Sequence, residues 1–264
     1  MLFYNGKVLQ TSNFPDRTLS LRLEVDEQAP QIICWKYESE AEMSALYYVT
    51  KHIQSFGLKV SLYMPYIPNA RMDRVKNSDE IFTLKYFAEF INSLNFHEVY
   101  VVDPHSSVSC ALIDNLKVDN AVTYILSVIA TIEKDSNFVI FYPDEGSMKR
   151  YSELINHIPY SFGVKKRDWR TGKIQGLTLI NENFVKDKDV LIIDDICSKG
   201  GTFYHSAKAL KEAGAKDIYL YVTHCENTIF YGELLKDNGL IKHIYTTSSI
   251  PLLPHTKITV LESR

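Results

Sequence analysis

The chain has 264 residues, enough for one large domain or two small ones, and its 45% hydrophobic content can fill a core. A formal net charge of −3 argues against a polyanion-binding surface, so no nucleic acid partner is expected. Cys34, Cys110, Cys197 and Cys225 are scattered without CxxC spacing, which indicates neither a disulfide framework nor a zinc site. With no leader-like start and no long apolar stretch, the expectation is a cytoplasmic protein without a membrane partner.

Apolar periodicity predicts a strand over residues 32–37, a helix over 41–56 ended by Gly57, and a strand over 59–64. A helix over 83–94 and a strand over 98–102 complete a βαβαβ unit. The pattern restarts with a helix at 122–133, a strand at 138–142, a helix at 149–157, a strand at 190–193, a helix at 202–213 and a strand at 217–224, with a last strand at 257–261. This alternation predicts an α/β protein of two tandem units, each a mainly parallel sheet flanked by helices. Charged and polar residues interrupt the pattern over 114–120, which is read as the join, giving domains 1–117 and 118–264.

In such sheets ligands sit beyond the carboxyl ends of the strands. The first unit there carries Pro65-Tyr66-Ile67-Pro68-Asn69-Ala70-Arg71-Met72-Asp73-Arg74 and Asp103-Pro104-His105. The second carries Pro143-Asp144-Glu145-Gly146 and Asp194-Asp195-Ile196-Cys197-Ser198-Lys199-Gly200-Gly201-Thr202. The last is the strongest signal. Its glycines let the chain turn with N–H groups inward, and the helix that follows adds a positive partial charge, so the loop suits a phosphate. The two acids suit ribose hydroxyls or a magnesium ion. Lys165, Lys166, Arg167, Arg170 and Lys173 form a basic run that reads as a mobile loop. Plainer roles exist for each: a surface ion pair for Arg71 and Asp73, a core histidine for His105, a helix N-cap for Asp144, and a solvated face for the basic run.

The segment 190–203 resembles the phosphoribosyl pyrophosphate motif of type I phosphoribosyltransferases and of phosphoribosyl pyrophosphate synthetases. Residues 65–74 resemble the Pro-Tyr-x-x-x-Ala-Arg-x-Asp-Arg segment of the synthetases, 103–105 their Asp-Leu-His, and 143–146 their Pro-Asp-x-Gly. Four matches in order identify the chain with the ribose-phosphate pyrophosphokinase family. The resemblance implies two phosphoribosyltransferase-like domains, the first on the ATP side and the second on the ribose-phosphate side. It implies transfer of the β,γ-diphosphate of ATP to the C1 hydroxyl of ribose 5-phosphate, with Mg2+ as cofactor.

Under that resemblance Arg71, Asp73 and Arg74 serve the ATP phosphates, and His105 and Asp144 hold the magnesium. Asp194 and Asp195 orient the ribose hydroxyls, and Ser198, Lys199, Gly200, Gly201 and Thr202 cradle the 5-phosphate. Lys166 and Arg167 or Arg170 close on the diphosphate. Phe14 and Asp16 resemble the adenine-binding loop that members lend to a neighbouring subunit, which implies a homo-oligomer, a dimer or higher. Two departures stand out: Thr18 replaces a glutamate in that loop, and Ser198-Lys199 replaces Asp-Thr in the phosphate loop. The extra positive charge suits a diphosphate, so ADP-ribose is an alternative acceptor, with a role in NAD metabolism rather than nucleotide biosynthesis. A phosphoribosyltransferase and an inactive regulatory paralogue are the competing readings.

Overall fold

A computed structural model describes residues 1–132, 138–156, 158–167, 174–180, 182–236 and 239–263, with the backbone alone at 165–167, 174–177 and 182. The chain divides into two compact units, Met1–Asn120 with Ser249–Pro251, and Ala121–Ser248 with Leu252–Arg264. No helix among the described residues is long and apolar enough to cross a membrane.

The first unit runs β1 (Leu2–Tyr4), β2 (Lys7–Val8), β3 (Thr11–Asn13), β4 (Leu19–Leu21), β5 (Gln31–Trp35), α1 (Glu42–Gln54), β6 (Val60–Tyr63), α2 (Thr83–Ser93), β7 (Val99–Val102), α3 (Ser107–Leu112) and β8 (Leu116–Asp119). Its sheet has the order β2-β1-β5-β6-β7-β8, parallel from β5 to β8, with β1 and β2 antiparallel at one edge. The α1 stripe Ala45, Leu46, Val49 and Ile53 and the α2 stripe Leu84, Phe87, Ala88 and Ile91 join Ile33, Leu62, Val99 and Val101 in one core, as helical and strand periods dictate. Gly57, at φ +75°, takes the left-handed turn just past α1 that glycine adopts without strain. The division falls at the end of the stretch read as the join, 114–120, and just past the expected boundary at 117, because Leu116–Asp119 form β8, paired with β7. It reads as polar because Lys117 and Val118 are exposed on an edge strand.

The second unit runs α4 (Val122–Ile132), β9 (Phe138–Tyr142), α5 (Glu145–Tyr151), β10 (Tyr160–Arg167), β11 (Ile174–Ile180), β12 (Asp189–Cys197), α6 (Gly201–Glu212), β13 (Ile218–Cys225), β14 (His243–Thr247) and β15 (Ile258–Leu261). Its sheet has the order β11-β10-β9-β12-β13-β14-β15 and is parallel except for the β10–β11 pair. β9 and β13 are buried along their whole length, as central strands covered on both faces require. Val139, Phe141, Val190, Ile192, Leu220 and Val222 pack with Phe203, Ala207 and Leu210 of α6. Ile140, Tyr142, Leu191, Ile193 and Tyr221 pack with Ile125, Val128 and Ile129 of α4.

Three expectations are corrected here. The strand predicted to stop at 193 continues to Cys197, because its register with β13 holds from Asp194↔Val222 to Cys197↔Cys225, so Asp194 and Asp195 lie within the strand. The helix predicted at 149–157 is α5, which begins at Glu145 because Asp144 caps it, and ends at Tyr151. The basic run is not all loop: Lys165, Lys166 and Arg167 belong to β10, where Lys166 pairs with Gly176 and Arg167 with Ile174 across a bulge. Arg170 and Lys173 lie outside the described residues.

Candidate functional site

In the first unit β6 and β7 run parallel, so the segments that leave their carboxyl ends start side by side. The Met64 amide donates to Tyr100 O at 2.8 Å and the Val102 amide to Pro65 O at 3.0 Å, which ties residues 65–74 to the strand that delivers His105. Tyr66, Ile67 and Ala70 are buried, and Asn69 turns at φ 62°, with the Met72 amide donating to Asn69 O at 2.9 Å. This buried stalk ends in an exposed Arg71. Arg74 Nε reaches Asp73 Oδ1 at 3.2 Å, a pair that is largely solvated on the arginine side and so worth at most about 1 kcal/mol. Asp103 is buried at φ 45° and its amide donates to Asp119 O at 2.9 Å, so the strand end bends sharply before His105, which is half-buried.

Phe14 and Asp16 stand apart from these residues. They lie at the tip of the β3–β4 hairpin, a two-stranded sheet that hydrogen-bonds to neither large sheet. Leu19 and Leu21 pack the base of this hairpin against the core, while Phe14 is 56% exposed. Asp16 Oδ1 accepts from the Thr18 hydroxyl at 2.7 Å and from its amide at 3.0 Å, and these bonds hold the carboxyl below its ordinary value. Thr18, which stands where the resemblance expects glutamate, therefore has a local role of shaping the tip.

In the second unit β9 and β12 are parallel neighbours, which brings the residues after Tyr142 beside Asp194 and Asp195. Asp144 Oδ1 accepts from the Ser147 amide at 3.1 Å, and Ser147 Oγ answers the Asp144 amide at 3.4 Å, a reciprocal cap on α5. The plainer reading of Asp144 as an N-cap is thus a real part of its work. Arg150, also on α5, meets Asp195 Oδ2 at 2.6 Å, and the Asp195 side chain is only 7% exposed. Asp194 differs. Burial, with the charges of Asp195 and Asp144 next to it, holds its carboxyl well above the usual carboxylate range. Adjacent acids thus have different environments: Asp195 faces a cation, and Asp194 retains a proton more readily. The Asp195 amide donates to Asp194 Oδ1 at 3.0 Å and the Ile196 amide to Asp195 Oδ1 at 2.9 Å, which orients both carboxyls.

Past Cys197 the chain turns through Ser198, exposed Lys199 and buried Gly200 into α6. Gly200 occupies the N-cap position at φ +76°, which favours glycine, and a Cβ there would lie 2.2 Å from Leu234 Cδ1, so a larger residue would also have to displace the Leu234 side chain. The N-terminal amides of a 12-residue helix and its dipole then face whatever the loop holds, and that geometry favours an anion. Arg150 escaped the sequence reading because its partner is 45 residues away and the helix start was misplaced. Gly232, which touches the loop, carried no local signal.

A family model described as "Phosphoribosyl transferase domain" matches residues 117–233. Over 254 residues the chain is 27% identical to a protein of Saccharolobus solfataricus named "Ribose-phosphate pyrophosphokinase", covering 94% of this chain and 86% of that one. It is 29% identical to proteins of the same name from Buchnera aphidicola, over 74% of this chain, and Pasteurella multocida, over 75%. It spans only 62% and 64% of those two proteins' own lengths. Among solved structures, phosphoribosylpyrophosphate synthetase from Mycobacterium smegmatis superimposes with a TM-score of 0.81 over 97% of this chain and 86% of its own, at 17% identity, a likeness of fold.

Proposed function

We propose that the chain is a member of the ribose-phosphate pyrophosphokinase family, a diphosphotransferase making phosphoribosyl pyrophosphate and AMP from ATP and ribose 5-phosphate. The observation that carries this reading is the sequence of parts at the end of β12. Two oriented acids, one paired with Arg150, lead through a left-handed glycine into a helix N-terminus, which suits a sugar's hydroxyls and its phosphate together.

The reaction forms a bond from the C1 hydroxyl oxygen to the β phosphorus and breaks the bond from that phosphorus to the oxygen that leaves with AMP. Catalysis is then mostly positioning and neutralisation of charge. Asp194 and Asp195 hold the ribose hydroxyls, and Ser198, Lys199, Gly200, Gly201 and Thr202 hold the 5-phosphate. Arg71, on its buried stalk, binds the ATP phosphates, with the Asp73–Arg74 pair beside it. Lys166 and Arg167 of β10, with Arg170, neutralise the moving diphosphate. Phe14 and Asp16, exposed on their hairpin, reach the adenine of a neighbouring copy, so the working form is at least a dimer.

Among the described residues no group of three or more His, Cys, Asp or Glu side chains is placed to hold a metal ion by itself. That suits magnesium, which keeps waters and substrate phosphate oxygens as most of its ligands. Burial and then the nearby charges of Asp195 and Asp144 raise the Asp194 carboxyl, which supports this reading, since a cation beside these acids would offset that repulsion. On the family resemblance, His105 and Asp144 would hold it. When bound it would supply neutralisation of charge on the transferring phosphates.

The test is to incubate the protein with ATP and magnesium plus an acceptor and follow products by mass spectrometry. AMP and phosphoribosyl pyrophosphate are expected with ribose 5-phosphate. Absence of AMP with every acceptor would favour an inactive paralogue, and consumption of phosphoribosyl pyrophosphate with a base would favour a phosphoribosyltransferase.

ADP-ribose as acceptor is a second reading, favoured by exposed Lys199 in the phosphate loop and by Tyr231, which is 81% exposed. Tyr231 immediately precedes Gly232, which lies against the Lys199 carbonyl. An exposed aromatic ring one residue from the segment that touches the loop is a candidate to stack on the adenine of a bound ADP-ribose. If this reading holds, Tyr231→Ala lowers kcat/KM for ADP-ribose about tenfold, within the 1–3 kcal/mol that base stacking supplies. Steady-state kinetics with both acceptors decide the matter, since equal loss with both would remove Tyr231 from acceptor choice.

A further inference from the structure

We propose that Gly232 is a positioning residue for the loop at 198–202, acting by fixing the peptide between Lys199 and Gly200. This inference rests on reading that loop as the sugar-phosphate cradle. A Cβ built on Gly232 would lie 1.9 Å from Lys199 O and 2.9 Å from Lys199 C. Both are backbone atoms, so no flexible side chain can move aside to make room. The backbone of Gly232 has φ −100° and ψ −168°, a conformation open to any residue. Glycine is needed here for close approach alone.

The approach has a directional consequence. The Lys199 carbonyl oxygen is seated against Gly232, and in a planar trans peptide the N–H of the next residue points the opposite way. The Gly200 N–H is therefore turned away from Gly232 and is not used by that segment. The supporting segment is itself held firm. The Glu226 amide donates to Cys197 O at 2.9 Å, the Ile229 amide to Glu226 O at 3.0 Å, and the Gly232 amide to Ile229 O at 3.0 Å. Two residues on, Leu234 is 2% exposed and occupies the space that a Gly200 side chain would need. Gly200 and Gly232 thus form a matched pair, each lacking a side chain where the other's segment crosses.

The test compares Gly232→Ala with two controls. Gly232→Ala should raise KM for the acceptor about tenfold or more, because displacing the loop peptide misaligns its N–H, while KM for ATP stays within about twofold. Gly214→Ala, at a left-handed glycine (φ +88°) just past α6, costs stability in the same unit and should leave both KM values unchanged. Thr202→Ala removes a hydroxyl of the loop itself and should raise KM for the acceptor if the loop holds the phosphate. An unchanged acceptor KM in Gly232→Ala, with a raised one in Thr202→Ala, overturns the inference and leaves the loop reading standing. Unchanged values in both variants overturn the loop reading itself. Should Gly232→Ala fail to fold, Leu234→Val loosens the other crossing of the pair, where Leu234 lies against Gly200, and an unchanged acceptor KM there overturns the inference.

Discussion

His105→Ala is expected to lower kcat by about 10²–10³-fold, the usual cost of removing one group that stabilises charge developing on transferring oxygens. Its folding should be almost untouched. His105 is half-buried after a strand end whose bend is already set by Asp103, buried at φ 45° and bonded through its amide to Asp119. Substitutions at partly exposed positions outside the core typically change stability by only about 0.5 kcal/mol. Single-turnover AMP release and thermal melting on the same preparation check both halves. Near-normal turnover would remove His105 from the mechanism, and a large fall in melting temperature would recast it as structural.

Asp194→Asn should move activity and stability in opposite directions. If Asp194 orients the acceptor as proposed, the variant loses that group, at a cost of about 10²-fold in kcat/KM for a misplaced reactant. It keeps the amide bond from Asp195, because an asparagine oxygen can accept it in the same place. The sign of the stability change follows from linkage. Burial and the charges of Asp195 and Asp144 raise the Asp194 value in the folded state above that of the unfolded chain. The folded state therefore binds the proton more tightly, and its stability falls as pH rises from about 4 through the raised value. Asparagine has no such loss. The variant should melt close to the wild type near pH 4 and increasingly above it toward pH 8, by a few degrees, where ~1 kcal/mol is worth about 2–4 °C at this size. A variant less stable than the wild type at pH 8 would show that the carboxylate is better accommodated than its surroundings indicate.

What the sequence revealed and what it hid divide along physical lines. β9 and the central run of β12 are covered on both faces, so their residues had to be continuously apolar, and they were read at sight. The α1 and α2 stripes were equally plain, because one face of each helix lies in the core. Edge strands were harder. β8 exposes Lys117 and Val118 and resembled a linker, and β10 carries its cations into the sheet margin, where they passed for a loop. β14 was missed for a different reason. Its buried Thr246 and Thr247 look polar, but their hydroxyls donate to Thr223 O at 3.3 and 2.8 Å. The motif residues of the candidate site could be found because they lie at or just past the carboxyl ends of strands. Arg150 and Gly232 could not, since each acts on a segment more than thirty positions away through a contact that only folding creates.

The reciprocal bonds between Asp144 and Ser147 bear on how any experiment at that position should be designed. Alanine there would unravel the first turn of α5, at a cost of about 0.5–2 kcal/mol, and with it the seat from which Arg150 reaches Asp195. An inactive alanine mutant would then confuse a scaffold defect with a chemical one. Asparagine caps a helix about as well as aspartate while discarding its charge, so it is the substitution whose phenotype can be interpreted.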